Sequence, residues 1–271
     1  MSAPPLTPGL IERLEGAVRE HGWASLRRAS ELEGNPYGVT LYEIGGLWAS
    51  LVRAVPELPW FNAVSGVAQD TLTELDGALT VYQSERVSPR LGVWATQLTP
   101  ALGAALFDRG FTPVGTGATL YAAATAPAPR ALADVEVSEL KPEEGNEGFN
   151  ATLLAGYGFT DPVQRALAIL AHEGPDVRRY LAYVDGQPAA AATLCVHGGV
   201  AYLAGAATRP EFRQRGAQAA LIHRRLNDAA RSGELVTVTT AFASASQRNL
   251  ERHGFRVAQL KTFWGRRRSL P

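Results

Sequence analysis

Residues 206–226, AATRPEFRQRGAQAALIHRRL, concentrate the side chains and spacing that handle phosphate. A strand-like run ends at Thr208, Pro210 stops it, an arginine-rich loop follows, and Gly216 opens a helix. The first N–H groups of a helix have no acceptor within the helix, and together with the helix dipole they attract anions. Glycine at 216 admits a ligand close to the backbone, where any Cβ would obstruct it. Arg213 and Arg215 add the means for charge-assisted hydrogen bonds to phosphate oxygens. The stretch therefore reads as a pyrophosphate cradle, in preference to a solvated loop that merely precedes a helix.

Such a cradle needs a strand before it and an amphipathic helix behind it. Residues 216–231 place Ala219, Ile222, Leu226 and Ala229 on one face at 3/4 spacing, and Gly233 ends the pattern. His223, Arg224 and Arg225 read as the solvated face of that helix. Upstream, Val135 to Leu140 alternates as a strand does. Asp161-Pro162 opens a helix through VQRALAILAHEG, closed by Gly174. Arg178 to Val184 is a strand, Asp185-Gly186 a hairpin turn, and Ala189 to Val196 its return strand. Gly198-Gly199 turns the chain into Val200 to Thr208. After the helix come a strand (Leu235 to Ala241), a short helix (Ser244 to His253) and a last extended segment from Phe255 to about Gly265. The order predicts a mixed α/β fold with an antiparallel meander.

The whole chain divides at TAPAPRALAD, residues 125–134, where alternating Ala and Pro cannot sustain a helix or a central strand. This predicts domains at 1–124 and 135–271 joined by that linker. A shift of 144 positions lays ALFDRGF (105–111) over NLERHGF (249–255) and LGVWATQL (91–98) over LVTVTTAF (235–242). Each half then ends strand, short helix, Gly-Phe, strand.

Composition sets outer bounds. Of 271 residues, 46% are hydrophobic and 19% charged, which is globular composition. Lys+Arg 26 balances Asp+Glu 26, so neither a general nucleic-acid binder nor a polybasic membrane-surface protein is expected. A single cysteine, Cys195, excludes an intramolecular disulfide and multi-cysteine zinc or iron–sulfur sites, and no metal is expected. MSAPPLTPGLIERLEG lacks the basic start and apolar run of a secretory signal. No apolar run approaches the ~20 residues of a membrane span. The expected location is the cytoplasm.

In this context residues 135–271 resemble the GNAT acetyltransferase superfamily, whose signature is Arg/Gln-x-x-Gly-x-Gly/Ala between a strand followed by Pro and an amphipathic helix. Arg213 and Gly216 fit the signature, and Gln218 stands in its last slot, followed by Ala219. The segment ELVTVTTAFASASQRNLERHGFRV supplies the superfamily's second feature: a strand, a short helix, Gly-Phe and a final strand. FNAVSGVAQDTL (61–72) has no Arg-x-x-Gly loop, so the first half resembles the superfamily only through the repeat. The resemblance implies two GNAT-like domains, each a mixed, mostly antiparallel sheet flanked by helices, with the first degenerate.

It also implies acetyl-coenzyme A as donor and an amine on a small molecule or protein as acceptor. The main chain of Arg213, Gln214, Arg215, Gly216, Ala217, Gln218 and Ala219 would grip the pyrophosphate. Ala206, Ala207 and Thr208 would pair with the pantetheine arm, and Ser246 and Asn249 would reach it from the following helix. Gly205 marks a bulge that would splay this strand from 235–241 and open a slot for the thiol end, with an N–H near Ala207 holding the thioester oxygen. Many relatives carry a tyrosine acid at the position of Leu250 and a glutamate on the strand before the loop. Here 200–208 contains no carboxylate, and Glu211 follows Pro210 toward solvent. No catalytic residue is assigned.

Several residues carry plainer readings. Cys195 is a small core residue and His197 a turn residue, while Tyr202 faces the core or else the slot. Tyr157 and Phe159, in GYGFTDP between candidate helices, line the acceptor pocket or simply pack. Arg266 to Arg268 read as a frayed basic tail. Two rival functions stand beside acetyl transfer. One is a non-catalytic acyl-coenzyme A-binding sensor or scaffold, which Leu250 favours. The other is an aminoacyl transferase using tRNA, which zero net charge disfavours.

Overall fold

In the computed structural model, residues 3–124, 134–141, 146–231 and 235–267 are described. The expected linker, apart from Asp134, and the helix stop at Gly233 lie outside the described residues. In the first half the chain runs α1 (Pro8–Ser30), β1 (Val39–Ile44), β2 (Leu47–Val52), β3 (Ala63–Ser65), α2 (Leu72–Ser84), β4 (Arg90–Trp94), α3 (Pro100–Asp108) and β5 (Phe111–Ala123). The second half follows with β6 (Val135–Leu140), α4 (Glu147–Tyr157), α5 (Pro162–Leu170), β7 (Val177–Val184), β8 (Gln187–His197), β9 (Val200–Tyr202), β10 (Ala206–Thr208), α6 (Ala217–Ala229), β11 (Leu235–Ala241), α7 (Ala245–Arg252) and β12 (Arg256–Arg266).

Local signals act where the sequence places them. Asp161 caps α5 by accepting a hydrogen bond from Gln164 N–H at 2.7 Å. Ser244 caps α7 by accepting from Gln247 N–H at 3.1 Å. Asp185 and Gly186 both have positive φ, and Val184 faces Gln187 across a two-residue hairpin. Helix α5 stops at Leu170, short of Gly174. Helix α4 is the helix expected before GYGFTDP: Asn146 makes no side-chain cap bond, and Gly158 at positive φ follows Tyr157.

The chain forms two compact units, and they do not follow the two halves of the sequence. One unit holds Met1–Ser25 and Thr119–Ala258, and the other holds Leu26–Ala118 and Gln259–Pro271. Within the first unit the sheet order is β5-β11-β9-β8-β7-β6, with β10 paired to β8. Helix α4 and the sheet enclose Phe149, Leu153, Leu181, Ala191 and Ala207. Helix α1 packs Leu10, Leu14 and Ala17 with Tyr121, Val200 and Leu235. Within the second unit the order is β1-β2-β3-β4-β12-β5. Its core joins Leu51, Leu75, Tyr82, Leu91, Leu106 and Phe111 to Trp264 from β12.

The last strand of each half thus serves the other half's unit: β12 pairs antiparallel with β4, while Leu120 O of β5 accepts from Thr237 Oγ1 of β11 at 3.1 Å. No single cut in the sequence separates such units. The frayed basic tail is corrected accordingly. Arg266 lies in β12, its Nη1 donates to Arg109 O at 3.0 Å and its guanidinium sits 4.7 Å from the Phe111 ring centroid. Arg267 N–H donates to Gly110 O at 2.8 Å, and Arg268 lies outside the described residues. Among the described residues no helix is long and apolar enough to cross a membrane.

Candidate functional site

The site grows from an interruption in one strand. Val200 to Thr208, expected as a single run, is two strands, because Gly205 has φ +31°. Thr193 N–H on β8 donates to both Ala204 O (3.2 Å) and Gly205 O (3.0 Å), two residues facing one, which is a bulge. Before the bulge, β9 runs parallel to β11, and Leu203 N–H still reaches Thr237 O at 2.9 Å. After it, β10 pairs with β8 alone. The strands β10 and β11 therefore part, and an edge opens between them.

The register decides which peptides face that edge. Thr193 N–H reaches Gly205 O, and Arg209 N–H reaches Ala189 O at 2.9 Å. Alternation along an antiparallel pair then directs Ala207 toward β8 and turns the N–H and C=O groups of Ala206 and Thr208 to the open side. The donors near Ala207 that face the edge are thus those of its two neighbours. Which peptides face it follows from strand geometry and was not readable without the register.

A buried arginine braces the bulge. Arg225 of α6 is 1% exposed, and its Nη1 donates to Thr193 O (3.0 Å) and Ala204 O (3.3 Å). Burial draws its guanidinium down to about 10, so it stays charged at neutral pH. This overturns the reading of His223, Arg224 and Arg225 as one solvated face. Arg224 bonds Asp228 and Glu139, and the His223 ring meets that of His253 at 4.9 Å. Burial pushes the Asp228 carboxyl up, but hydrogen bonds from Arg224 and Tyr180 hold it below its usual range. Polar pairing, invisible to a hydrophobic period, turns this face inward.

The cradle follows β10. A short 3-10 turn, Pro210–Phe212, leads to Gln214 at φ +64° and Gly216 at φ +82°. Helix α6 has no side-chain cap, and its first helical bond runs from Ala220 N–H to Gly216 O. The N–H groups of Ala217, Gln218 and Ala219 thus have no acceptor within the helix. Arg213 is exposed beside them. Arg215 is engaged elsewhere: its Nη2 meets Asp185 at 2.7 Å, both partners being well exposed. Glu211 pairs with Arg209 at 2.6 Å on the surface.

Helix α4 closes the other face of β10. A Cβ at Gly156 would lie 2.6 Å from Ala207 Cβ and 2.9 Å from Thr208 N, so the helix rests directly on the strand. That contact carries Tyr157 to the open edge, where it hydrogen-bonds with the Ala206 backbone. Burial pushes its hydroxyl up to about 12. Phe159 stacks on Tyr157 at 5.0 Å, and the His172 ring lies 6.4 Å from Tyr157. His172 packs against Gly205 and pairs with Thr193 Oγ1 at 3.2 Å. Tyr202, expected in the core or at the slot, is half-buried and hydrogen-bonds with Thr239 Oγ1 of β11 at 3.0 Å, so it bridges the strands where they begin to part. Leu250 is buried, as is Cys195. Ser246 is exposed and Asn249 half-buried on α7, which follows β11. His172 and Thr239 were not singled out from sequence, and Arg225 was read only as solvated face; no periodicity or motif distinguishes them.

Residues 123–238 match the family model described as the acetyltransferase (GNAT) domain. Residues 123–238 of the chain thus carry a GNAT acetyltransferase domain. Among solved structures, a GCN5-related N-acetyltransferase from Sphaerobacter thermophilus is 17% identical with a TM-score of 0.64, covering 100% of this chain and 96% of that one. A GCN5-related N-acetyltransferase from Kribbella flavida is 20% identical with a TM-score of 0.61, covering 91% and 96%. A tandem GNAT protein from the clavulanic acid biosynthesis pathway is 15% identical with a TM-score of 0.56, covering 89% and 86%. At these identities the solved structures share the fold, while the family match supports acyl transfer in general. No curated protein matches the chain.

Proposed function

We propose that this protein transfers acetyl from acetyl-coenzyme A to an amine, with Ala206–Thr208 and Arg213–Ala219 holding the donor. The carrying observation is the conjunction of an unpaired β10 edge with an uncapped α6 N-terminus immediately after it. A pantetheine arm offers amides that pair with a strand edge, and a pyrophosphate suits N–H groups at a helix start. Both needs are met by main chain, so Gln218 in the last signature slot is compatible with the role. Arg213 adds charge, and Arg215 joins it by exchanging the exposed Asp185 carboxylate for phosphate. Ser246 and Asn249 on α7 stand as pantetheine contacts.

At the open edge, Thr208 N–H would hold the thioester oxygen as charge develops on it, Ala206 N–H being engaged by the Tyr157 hydroxyl oxygen. The attacking amine loses a proton and the sulfur leaves as thiolate, so a donor near the sulfur speeds departure. The position of the usual tyrosine is filled by buried Leu250. Tyr157 is the hydroxyl we assign to that edge, and its raised pKa keeps it protonated. Phe159 beside it would line the acceptor pocket.

The same buried Leu250 favours a second reading, a binding module that holds acyl-coenzyme A without turnover. Calorimetry with acetyl-coenzyme A, followed by thiol release assays across primary amines, tests both. Micromolar binding with amine-dependent thiol release supports the transferase. Binding without release with any amine supports the module, and absence of binding sinks both.

A further inference from the structure

Three side chains that the proposed transfer does not use converge beneath the parting strands. On α1, Leu10, Leu14, Ala17 and His21 recur at 3/4 spacing, and the first three form the stripe buried against the sheet. His21 extends that stripe and is itself 9% exposed. On β8, Cys195 and His197 are two residues apart, so both project from the same face. One ligand atom from each of His21, Cys195 and His197 lies within 4.8 Å of the others, the one such group of three among the described residues.

We propose that His21, Cys195 and His197 bind a divalent ion of the zinc class, tying α1 to β8. A tetrahedral zinc with imidazole and thiolate ligands needs donor atoms about 3.3–3.6 Å apart. The donor atoms now lie within 4.8 Å of one another, so they would draw together by up to about 1.5 Å on the ion. A thiolate with two imidazoles is a soft donor set, which selects zinc over magnesium or calcium. Buried Cys195 and His21 supply a dry surround, and half-buried His197 gives the ion its route in. Three protein ligands leave a fourth position for water. The site borders the open edge, since Cys195 faces Tyr202 across β8 and β9, and the His21 ring meets the Tyr202 ring at 5.3 Å.

Cobalt(II) titration of the full-length protein, freed of metal by chelator, tests the site. One equivalent per chain is expected, with visible ligand-field bands and a near-ultraviolet thiolate-to-cobalt band, both displaced by zinc. Binding at neutral pH releases the thiol proton to the buffer. Cys195→Ser should abolish the thiolate band. His197→Gln, at the half-buried position, should keep the fold and weaken cobalt binding at least about tenfold. Zinc should raise the melting temperature of wild type and leave that of His197→Gln unchanged. A folded wild type that gives no thiolate band, or a stoichiometry and melting shift indifferent to both substitutions, would overturn the assignment.

Discussion

Residues 63–84 and 206–229 both run strand, loop, helix, and a shift of 144 positions lays β3 and α2 on β10 and α6 to within one residue at each boundary. The first corner is closed. Strand β3 pairs on both sides, Ala63 with Ser50 and with Arg90. Its loop ends in Thr71, whose hydroxyl donates to Gly66 O at 3.1 Å and accepts from Ala68 N–H at 3.0 Å. Asp70 and Glu74 stand at the helix start, where they would repel phosphate. The second corner is open on every one of these counts: β10 pairs on one side only among the described residues, Arg215 stands where Thr71 locks the loop, and Gln214 and Gln218 replace the acids. In the same register, buried Arg225 stands where α2 has Val81. The likeness of elements is thus independent of the capacity to bind. A bulge, the arginine that satisfies its carbonyls, and one glycine separate the open corner from the closed one.

The largest test of this contrast is Arg225→Met, which makes the open corner resemble the closed one. Loss of the bonds to Thr193 O and Ala204 O leaves buried carbonyls short of donors and should cost about 3 kcal/mol by denaturant unfolding. A loss below about 1 kcal/mol would show that the bulge needs no brace. Next is Gly216→Asp, which combines left-handed strain of about 1–2 kcal/mol with like charge against phosphate. Coenzyme A affinity should fall at least about 100-fold by calorimetry with circular dichroism unchanged; retained affinity would break the cradle.

Two helical glycines should then respond with opposite sign to the same change. Gly156→Ala drives a Cβ into Ala207 and Thr208 and should destabilise by about 2 kcal/mol. Gly77→Ala in α2 meets nothing within 4 Å and should stabilise by about 0.5–1 kcal/mol. Equal melting temperatures for the two variants would dissolve the contrast.

Tyrosine titration gives a smaller effect. Burial raises Tyr157 to about 12, above its ordinary value of about 10. A raised folded-state pKa contributes stability that is complete below the unfolded value and lost as pH climbs toward the folded one. Stability should therefore decline between about pH 10 and 12, and less steeply in Tyr157→Phe; parallel pH curves would remove Tyr157 from the buried edge. The smallest expected change is Asp185→Asn, which keeps the turn and releases Arg215. Coenzyme A should bind up to about threefold tighter at low salt, as exposed pairs are worth under about 1 kcal/mol. Weaker binding would place Arg215 outside the cradle.

Much of the second half was legible because its signals are local. Asp185-Gly186, Asp161-Pro162 and Ser244 fix turns and caps through neighbours within three residues, and the structure uses each. The repeat was legible too, and Gly110 and Gly254 both close a helix at positive φ. The start of helix α4 was not legible because its cap carries no side-chain bond and its apolar spacing is weak. The inward turn of Arg225 was missed because a 3.6-residue period counts apolar residues and cannot see carbonyls waiting on a neighbouring strand.

The sequence by itself determined the order of elements across the second half, the glycine-opened helix behind an arginine loop, and the absence of that loop from the first half. These depend on backbone preferences and periodicities that act over a few residues. Only the tertiary structure decided that β12 completes the sheet beside β4, that Ala206 and Thr208 face the open edge, and that His21 meets Cys195 and His197. Strand exchange, register and helix docking bring together residues up to about 170 positions apart, and packing across such separations leaves no periodic trace in the chain.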